Sequence, residues 1–307
     1  MKKNTLFILV LFLLLSSYAK SQIIPPYDKI GKEMLFVDTL NARNQTDIKI
    51  EELKRQLASA TTTKTTTAYY NLAICYAAKN DAQNVCYYLN RCLKSGRGLM
   101  LFIMTDTDFE PFRSDDCWKK ITQSVDSIYL SMYPKVTDKQ LAVKLFHIYL
   151  NDQQGRGMGL KKKDKKFFHD EEDLVEVEKI ISQYGWPTYT MVGPASANGA
   201  FLVLQHASLQ VQEKYLNMLA EAVAKNEASK EWFALMTDRI SVDKYGYQIY
   251  GTQVYKEKDK TTGKYGAYKY APIKDEAKVD SLRATLGLIP LKQYLNYFDI
   301  NYPENSK

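Results

Sequence analysis

The stretch Tyr69-Tyr70-Asn71-Leu72-Ala73-Ile74-Cys75-Tyr76, followed by Asn80-Asp81 and then by Val85, Leu89 and Cys92, decides the architecture of the first half of the chain. Apolar residues recur at helical spacing on both sides of Asn80-Asp81, so residues 66–79 and 82–95 read as two antiparallel helices joined at that turn. Upstream, Asp47 is placed to cap a helix that carries Ile50, Leu53 and Leu57 on one face. Thr61 to Thr67 contains six Thr and one Lys and reads as a loop leading into the hairpin.

All four cysteines, Cys75, Cys86, Cys92 and Cys117, lie in or just after this hairpin. Cys75 and Cys86 are equidistant from the turn, so in an antiparallel pair they face each other. This predicts the disulfides Cys75–Cys86 and Cys92–Cys117. The alternative reading is four buried free thiols packing as small hydrophobes. No Cys-x-x-Cys pair occurs, so neither a zinc site nor a thioredoxin-like site is indicated.

The N-terminus supports the disulfide reading. Lys2 and Lys3 precede an apolar run from Leu6 to Leu15, and small or polar residues follow at Ser16, Ser17, Ala19 and Ser21. That is the pattern of a secretory signal peptide over residues 1–21, cut before Gln22, and the run is too short to span a bilayer. No later segment is long and apolar enough to span one, so the expectation is an exported, periplasmic or extracellular protein without a transmembrane segment. The formal charge of +7 over 307 residues includes Lys2, Lys3 and Lys20, and falls to +4 without them. So small an excess does not argue for a nucleic-acid partner. With 23 Tyr and only 3 His, clustered-His metal chemistry is excluded as well, and no metal or other cofactor is expected. With 45% apolar and 25% charged residues, the composition is that of a globular chain and not of a fibrous or disordered one.

A second region starts near residue 133. Thr137 can cap a helix with Leu141, Leu145 and Ile148 on one face, and a Gly- and Lys-rich loop follows from Gly155 to Lys166. A helix with Leu174, Val177 and Ile181 stops at Gly185. A long helix is predicted from Ala195 to Lys225, and a shorter one around Trp232, Leu235 and Met236. Residues 248–270 are rich in Tyr and Thr around Lys260-Thr-Thr-Gly263-Lys264, and read as a β-hairpin of Gln248–Tyr255 against Tyr265–Tyr270. The fold predicted is mainly α, with a helical N-terminal region over 22–132 and a helical domain with one β-hairpin over 133–307 (α+β is the alternative).

Two resemblances add to this reading. The helical hairpin, with small residues spaced three before an aromatic on its first helix, resembles a single tetratricopeptide-type unit, which flanking helices must cover. Asp106 to Trp118 resembles the tail that closes such units, with Phe109, Phe112 and Trp118 packing on the hairpin. Further on, an ordered series runs Asp152-Gln153-x-x-Arg156, Gly185-Trp186-Pro187, Gln205-His206-Ala207, Asp238-Arg239-Ile240 and Gln248-x-Tyr250-Gly251-Thr252-Gln253, then Arg283. It resembles an uncharacterised family of exported bacterial proteins classed as a domain of unknown function. That resemblance implies no reaction. The family pattern has an acid two residues after the His, where this chain has Ser208.

Candidate site residues are the polar ones that fall on apolar helical stripes. Asp152 continues the Leu141, Leu145, Ile148 stripe, and Gln205 and Gln212 join Leu209, Leu216 and Leu219. Arg239 shares a face with Trp232, Leu235 and Met236, as Arg283 does with Val279, Leu282 and Leu286. Buried polar groups cost about 1–3 kcal/mol each when unpaired, so they must find one another or line a wet pocket. The functional reading is a pocket lined by Asp152, Gln153, Arg156, Gln205, Gln212, Arg239, Gln248, Tyr250, Gln253 and Arg283, suited to a carboxylate-bearing or peptide-like small ligand. A hydrolase with His206 as base and Asp238 or Asp152 as its acid partner is the second reading. An envelope scaffold that binds a protein partner through the N-terminal hairpin is the third. The bland alternative is a polar network that pins helices in register.

Overall fold

The Tyr69–Tyr76 stretch is helical, and its helix is buried almost all round. The computed structural model describes residues 43–59, 62–95, 99–156, 169–259, 261–262 and 264–302. The expected signal peptide and the loop from Gly157 to Lys166 lie outside them, as does the Arg156 side chain. The described residues form two compact units, 43–169 and 170–302. The fold is mainly α, with one two-stranded antiparallel sheet among the described residues.

The first unit runs α1 (Arg43–Ser59), α2 (Thr62–Ala78), α3 (Ala82–Ser95), α4 (Met100–Thr105), a 3-10 turn (Thr107–Phe112), α5 (Asp116–Met132) and α6 (Lys139–Arg156). Tyr70 to Cys75 are all buried because α1, α3 and the 3-10 turn each pack on α2. Asn80 takes left-handed backbone (φ 55°) and ends the hairpin's first helix, and Asp81 caps α3 by accepting from the Asn84 amide at 3.0 Å. Phe109, Phe112 and Trp118 are buried as expected, with Phe109 edge-on to Tyr70 at 5.7 Å.

Thr62–Thr67 is helix, not loop: α3 ties it down through Cys92 Sγ to Thr66 O at 3.5 Å and Ser95 Oγ to Thr66 Oγ1 at 3.0 Å. Asp47 lies inside α1 and pairs with Lys79 at 2.6 Å. Asp138, not Thr137, caps α6, accepting from the Leu141 amide at 2.9 Å. The disulfide is Cys86–Cys117, spanning 31 positions with Cα atoms 6.0 Å apart, while Cys75 and Cys92 are buried free thiols. Equal distance from a turn puts two residues at one level of a hairpin but does not aim their side chains at each other. α3 packs on both α2 and α5, and Cys86 is bonded to α5. The division between units falls at 169/170 and not after 132, because α6 packs on α4 and α5, with Phe146 stacked on Tyr129 at 4.3 Å.

The second unit runs α7 (Asp170–Tyr184), α8 (Tyr189–Val192), α9 (Pro194–His206), α10 (Leu209–Ala224), α11 (Lys230–Tyr245), β1 (Val254–Lys258), β2 (Tyr265–Tyr270), α12 (Val279–Thr285) and α13 (Leu291–Asn296). Four acids open α7, where they suit the positive end of the helix dipole. The single long helix expected over 195–225 is two helices. Ala207 and Ser208 are extended, and Gln212 Nε2 bonds the Gln205 and Ala207 carbonyls at 3.1 and 3.0 Å that the break leaves over. β1 starts at Val254 and not at Gln248, pairing Val254 with Tyr270 and Lys256 with Tyr268. Under the sheet lie Leu291, Tyr294, Leu295 and Phe298, with Tyr268 edge-on to Phe298 at 5.2 Å and Tyr270 to Tyr302 at 5.7 Å.

Candidate functional site: a loop clamped by buried polar side chains

The six residues from Gln248 to Gln253 fail to form a strand because side chains take their backbone groups. Asp238, on α11, is fully buried. Its Oδ1 accepts from the amides of Ile249 (2.6 Å) and Tyr250 (2.8 Å), and its Oδ2 from the Thr252 amide (2.8 Å) and hydroxyl (2.9 Å). Gln248 folds back across the same loop. Its Oε1 accepts from the Gln253 amide at 2.6 Å, and its Nε2 donates to Ala271 O at 2.7 Å and Gln253 O at 3.3 Å. Gln253 Nε2 donates to Leu235 O at 3.0 Å, which ties the loop to α11 a second time.

Arg283 closes the loop from the other side. Its Nε donates to Ile289 O and its Nη1 to Tyr250 O, both at 2.6 Å, and its guanidinium lies 5.0 Å from the centre of the Tyr294 ring. The Tyr294 hydroxyl donates to Thr252 O at 3.0 Å. At the turn between the two anchors, Gly251 has φ 76°, which an L side chain rarely adopts. Burial raises the Asp238 carboxyl above the ordinary carboxylate range, and the amides of Tyr250, Thr252 and Ile249 oppose that rise. Burial lowers the Arg283 guanidinium and raises the Tyr294 phenol.

The structure thus brings together Asp238, Gln248, Tyr250, Gln253 and Arg283 of the expected residues. Gln205 and Gln212 meet at the α9–α10 break, with both Oε1 atoms buried and without a hydrogen-bond partner among the described residues. His206 and Arg239 are half-buried, and no hydrogen bond joins His206 to Asp238, whose four bonds all go to the loop. Asp152 and Gln153 are buried in the first unit, where Gln153 Nε2 donates to Asp152 at 2.6 Å. Gln154, which the stripe argument missed, accepts from Arg113 Nη1 at 2.8 Å and donates to Glu110 at 3.0 Å. Thr252 and Tyr294 were also missed. Thr252 stands inside the Gln248–Gln253 motif, so the motif itself could have flagged it, whereas nothing in the spacing of Tyr294 points to the loop.

Just before the clamped loop, the chain leaves α11 through a partly exposed aromatic stack. Tyr245, 60% exposed, lies 5.6 Å from Tyr247 at an interplanar angle of 17°. Lys244 Nζ lies 5.6 Å from the Tyr245 ring centre, and Lys274 Nζ 5.3 Å from that of Tyr247. Lys274 is held beside the loop by its own amide, which donates to Gln248 O at 2.9 Å. Lys244 also pairs with Glu213, whereas no carboxylate pairs with Lys274 among the described residues.

Residues 168–307 match a family of unknown function (DUF6624). The match takes in the whole clamp and the aromatic stack. It leaves Asp152, Gln153 and Arg156 outside, so the first motif of the expected series is not part of the matched region. No curated protein and no solved structure matches the chain. Among the described residues, no group of three or more His, Cys, Asp or Glu side chains is placed to hold a metal ion, and no helix is long and apolar enough to cross a membrane.

Proposed function

We propose that the protein is an exported binding protein whose C-terminal unit recognises a carboxylate-bearing or peptide-like ligand at the Tyr245–Tyr247 stack. One observation carries this reading: a cation stands near each ring of a parallel tyrosine pair, Tyr245 exposed and Tyr247 half-buried, that lies just before a loop tied down by buried side chains. Aromatic faces accept the apolar or planar part of a ligand, and an unpaired ammonium beside them accepts its carboxylate. Residues 244–278 hold eight Lys against four carboxylates, an excess equal to that of the whole chain after residue 21. The Cys86–Cys117 disulfide supports an oxidising destination, in line with the signal read over residues 1–21. The tetratricopeptide kinship of the α2–α3 hairpin belongs to the same reading, as a second binding module.

Nothing in the geometry favours the hydrolase reading. Asp238 has its acceptor positions filled by loop donors, so it is not poised to orient His206. The test is calorimetric titration of short aromatic peptides with a free or an amidated C-terminus. The free carboxylate binds more tightly, and Lys274→Ala or Tyr247→Ala weakens it about tenfold (roughly 1.4 kcal/mol) without lowering the melting temperature. Equal binding of free and amidated peptides overturns the proposal.

A further inference from the structure

A second aromatic surface lies in the first unit. Four tyrosines meet on the outer side of the α2–α3 hairpin, centred on Tyr88. Its ring lies 5.4 Å from Tyr76 and nearly parallel to it (11°), 4.9 Å from Tyr87 edge-on (85°), and 6.3 Å from Tyr69. Arg91 sits 5.2 Å from the centre of the Tyr69 ring, and its Nη2 donates to the Tyr69 hydroxyl at 2.8 Å. On α3, Tyr87, Arg91 and Lys94 follow a four-then-three spacing and are all exposed, so they form one solvent-facing stripe.

Folding alone does not account for this arrangement. Tyr87 is 54% exposed and gains little from burial, while Tyr69, Tyr76 and Tyr88 are left half-buried. Tyr and Arg are the side chains that most often dominate binding energy at interfaces, because they present large, stiff surfaces with a polar tip. The charge of the hairpin itself is one-sided as well. Residues 62–95 hold Lys64, Lys79, Arg91 and Lys94 against Asp81 alone, and neither helix carries a carboxylate. Both Asp81 oxygens accept from Asn84, and Lys79 is paired with Asp47. Among the described residues no carboxylate pairs with Arg91 or Lys94.

We infer that this face docks an acidic, partly apolar segment of another protein, its carboxylates meeting Arg91 and Lys94 and its apolar side chains meeting the Tyr87–Tyr88 pair. A polynucleotide is a poorer fit, because two unpaired cations would release few counterions. This surface is made by residues of the first unit alone and does not depend on the reading given to the Tyr245–Tyr247 stack.

The test is fluorescence polarisation of the full chain with three labelled probes: a short peptide of alternating Glu and Leu, its Lys-for-Glu counterpart, and an oligothymidylate of equal length. The Glu peptide binds saturably, the other two do not, and affinity falls as salt is raised. Arg91→Glu and Tyr87→Ala alter exposed side chains and keep the melting temperature, and each weakens the Glu peptide about tenfold or more. Failure of the Glu peptide to bind, equal or tighter binding of the Lys peptide or the oligonucleotide, or unchanged affinity in both variants overturns the inference.

Discussion

Asp238→Asn is nearly isosteric and tests whether the clamp holds the second unit together. In the wild type, Oδ1 meets two backbone N–H groups and Oδ2 meets one N–H and one hydroxyl. Asparagine keeps one oxygen and gains an NH2 group. Its better orientation leaves the oxygen on Ile249 and Tyr250 and turns the NH2 toward Thr252. The Thr252 hydroxyl can rotate to accept, but the Thr252 amide then faces a donor and loses its partner. One buried donor without a partner costs about 1–3 kcal/mol, and bonds to a charged acceptor are worth about 1.5–3 kcal/mol each, so the variant loses about 2–4 kcal/mol. For a unit of this size that is roughly 4–16 °C in melting temperature. Asp238→Ala loses more, because every donor is then left over. The pH dependence gives a second readout. The folded carboxyl is raised above its unfolded value, so its contribution to stability is fully present below the unfolded pKa of about 3.9 and is lost as pH rises through the folded value. The difference in denaturation free energy between wild type and Asp238→Asn therefore narrows as pH rises through that window and is flat above it. A melting temperature within about 2 °C of wild type, less than 1 kcal/mol on the same scale, refutes the clamp.

Three further outcomes follow from the structure. Gly251→Ala destabilises by about 2–4 kcal/mol, since its Cβ would lie 2.5 Å from Leu291 Cδ1 at a φ of 76°, whereas Gly246→Ala, at φ 79° with nothing within 4 Å, costs only about 1–2 kcal/mol; chemical denaturation of the two variants shows the difference. Arg283→Met removes two hydrogen bonds from a buried, charged donor to the Ile289 and Tyr250 carbonyls and lowers stability by about 2–4 kcal/mol, while Arg283→Lys recovers part of it, measured by thermal melting. Cys117→Ser opens a loop of 31 positions and costs about 3–4 kcal/mol, and in the native wild type Cys75 (pushed up to about 11 by burial) and Cys92 resist alkylation until the chain is unfolded, as mass spectrometry of labelled protein will show.

The elements that sequence made legible are those governed by local periodicity. The α2–α3 hairpin, the stripe of Leu141, Leu145 and Ile148, and the stop at Gly185 all depend on neighbours within a few residues. The misreadings arise where tertiary partners override local preference. Threonine disfavours helix interiors by tenths of a kcal/mol, and bonds from the far end of α3 to Thr66 outweigh that. The break after His206 carries no Gly or Pro to announce it, and only the folded Gln212 side chain reveals what satisfies it. Helical periodicity alone places Gln205, Gln212 and Arg283 on apolar faces, and all three are buried. It could not say which would meet, because Asp238 and Arg283 reach a loop 11 to 33 positions away.

The clamp also bears on how the Tyr245–Tyr247 stack would bind. A loop of this length between a helix and a strand would ordinarily sample many conformers, and a ligand that fixes one of them pays for that ordering in affinity. Here Asp238, Gln248, Gln253 and Arg283 have already fixed Gln248 to Gln253, and the Lys274 amide is bonded to that same segment. Under the proposed reading these buried polar residues order the loop beside the stack, and the ligand meets Tyr245, Tyr247 and Lys274 instead. A substitution that loosens the clamp without unfolding the unit should weaken ligand binding even though no contacting side chain changes, and Tyr247→Ala should weaken it with the clamp intact. The two losses separate in temperature: the first shrinks on cooling as the loop re-forms, and the second persists.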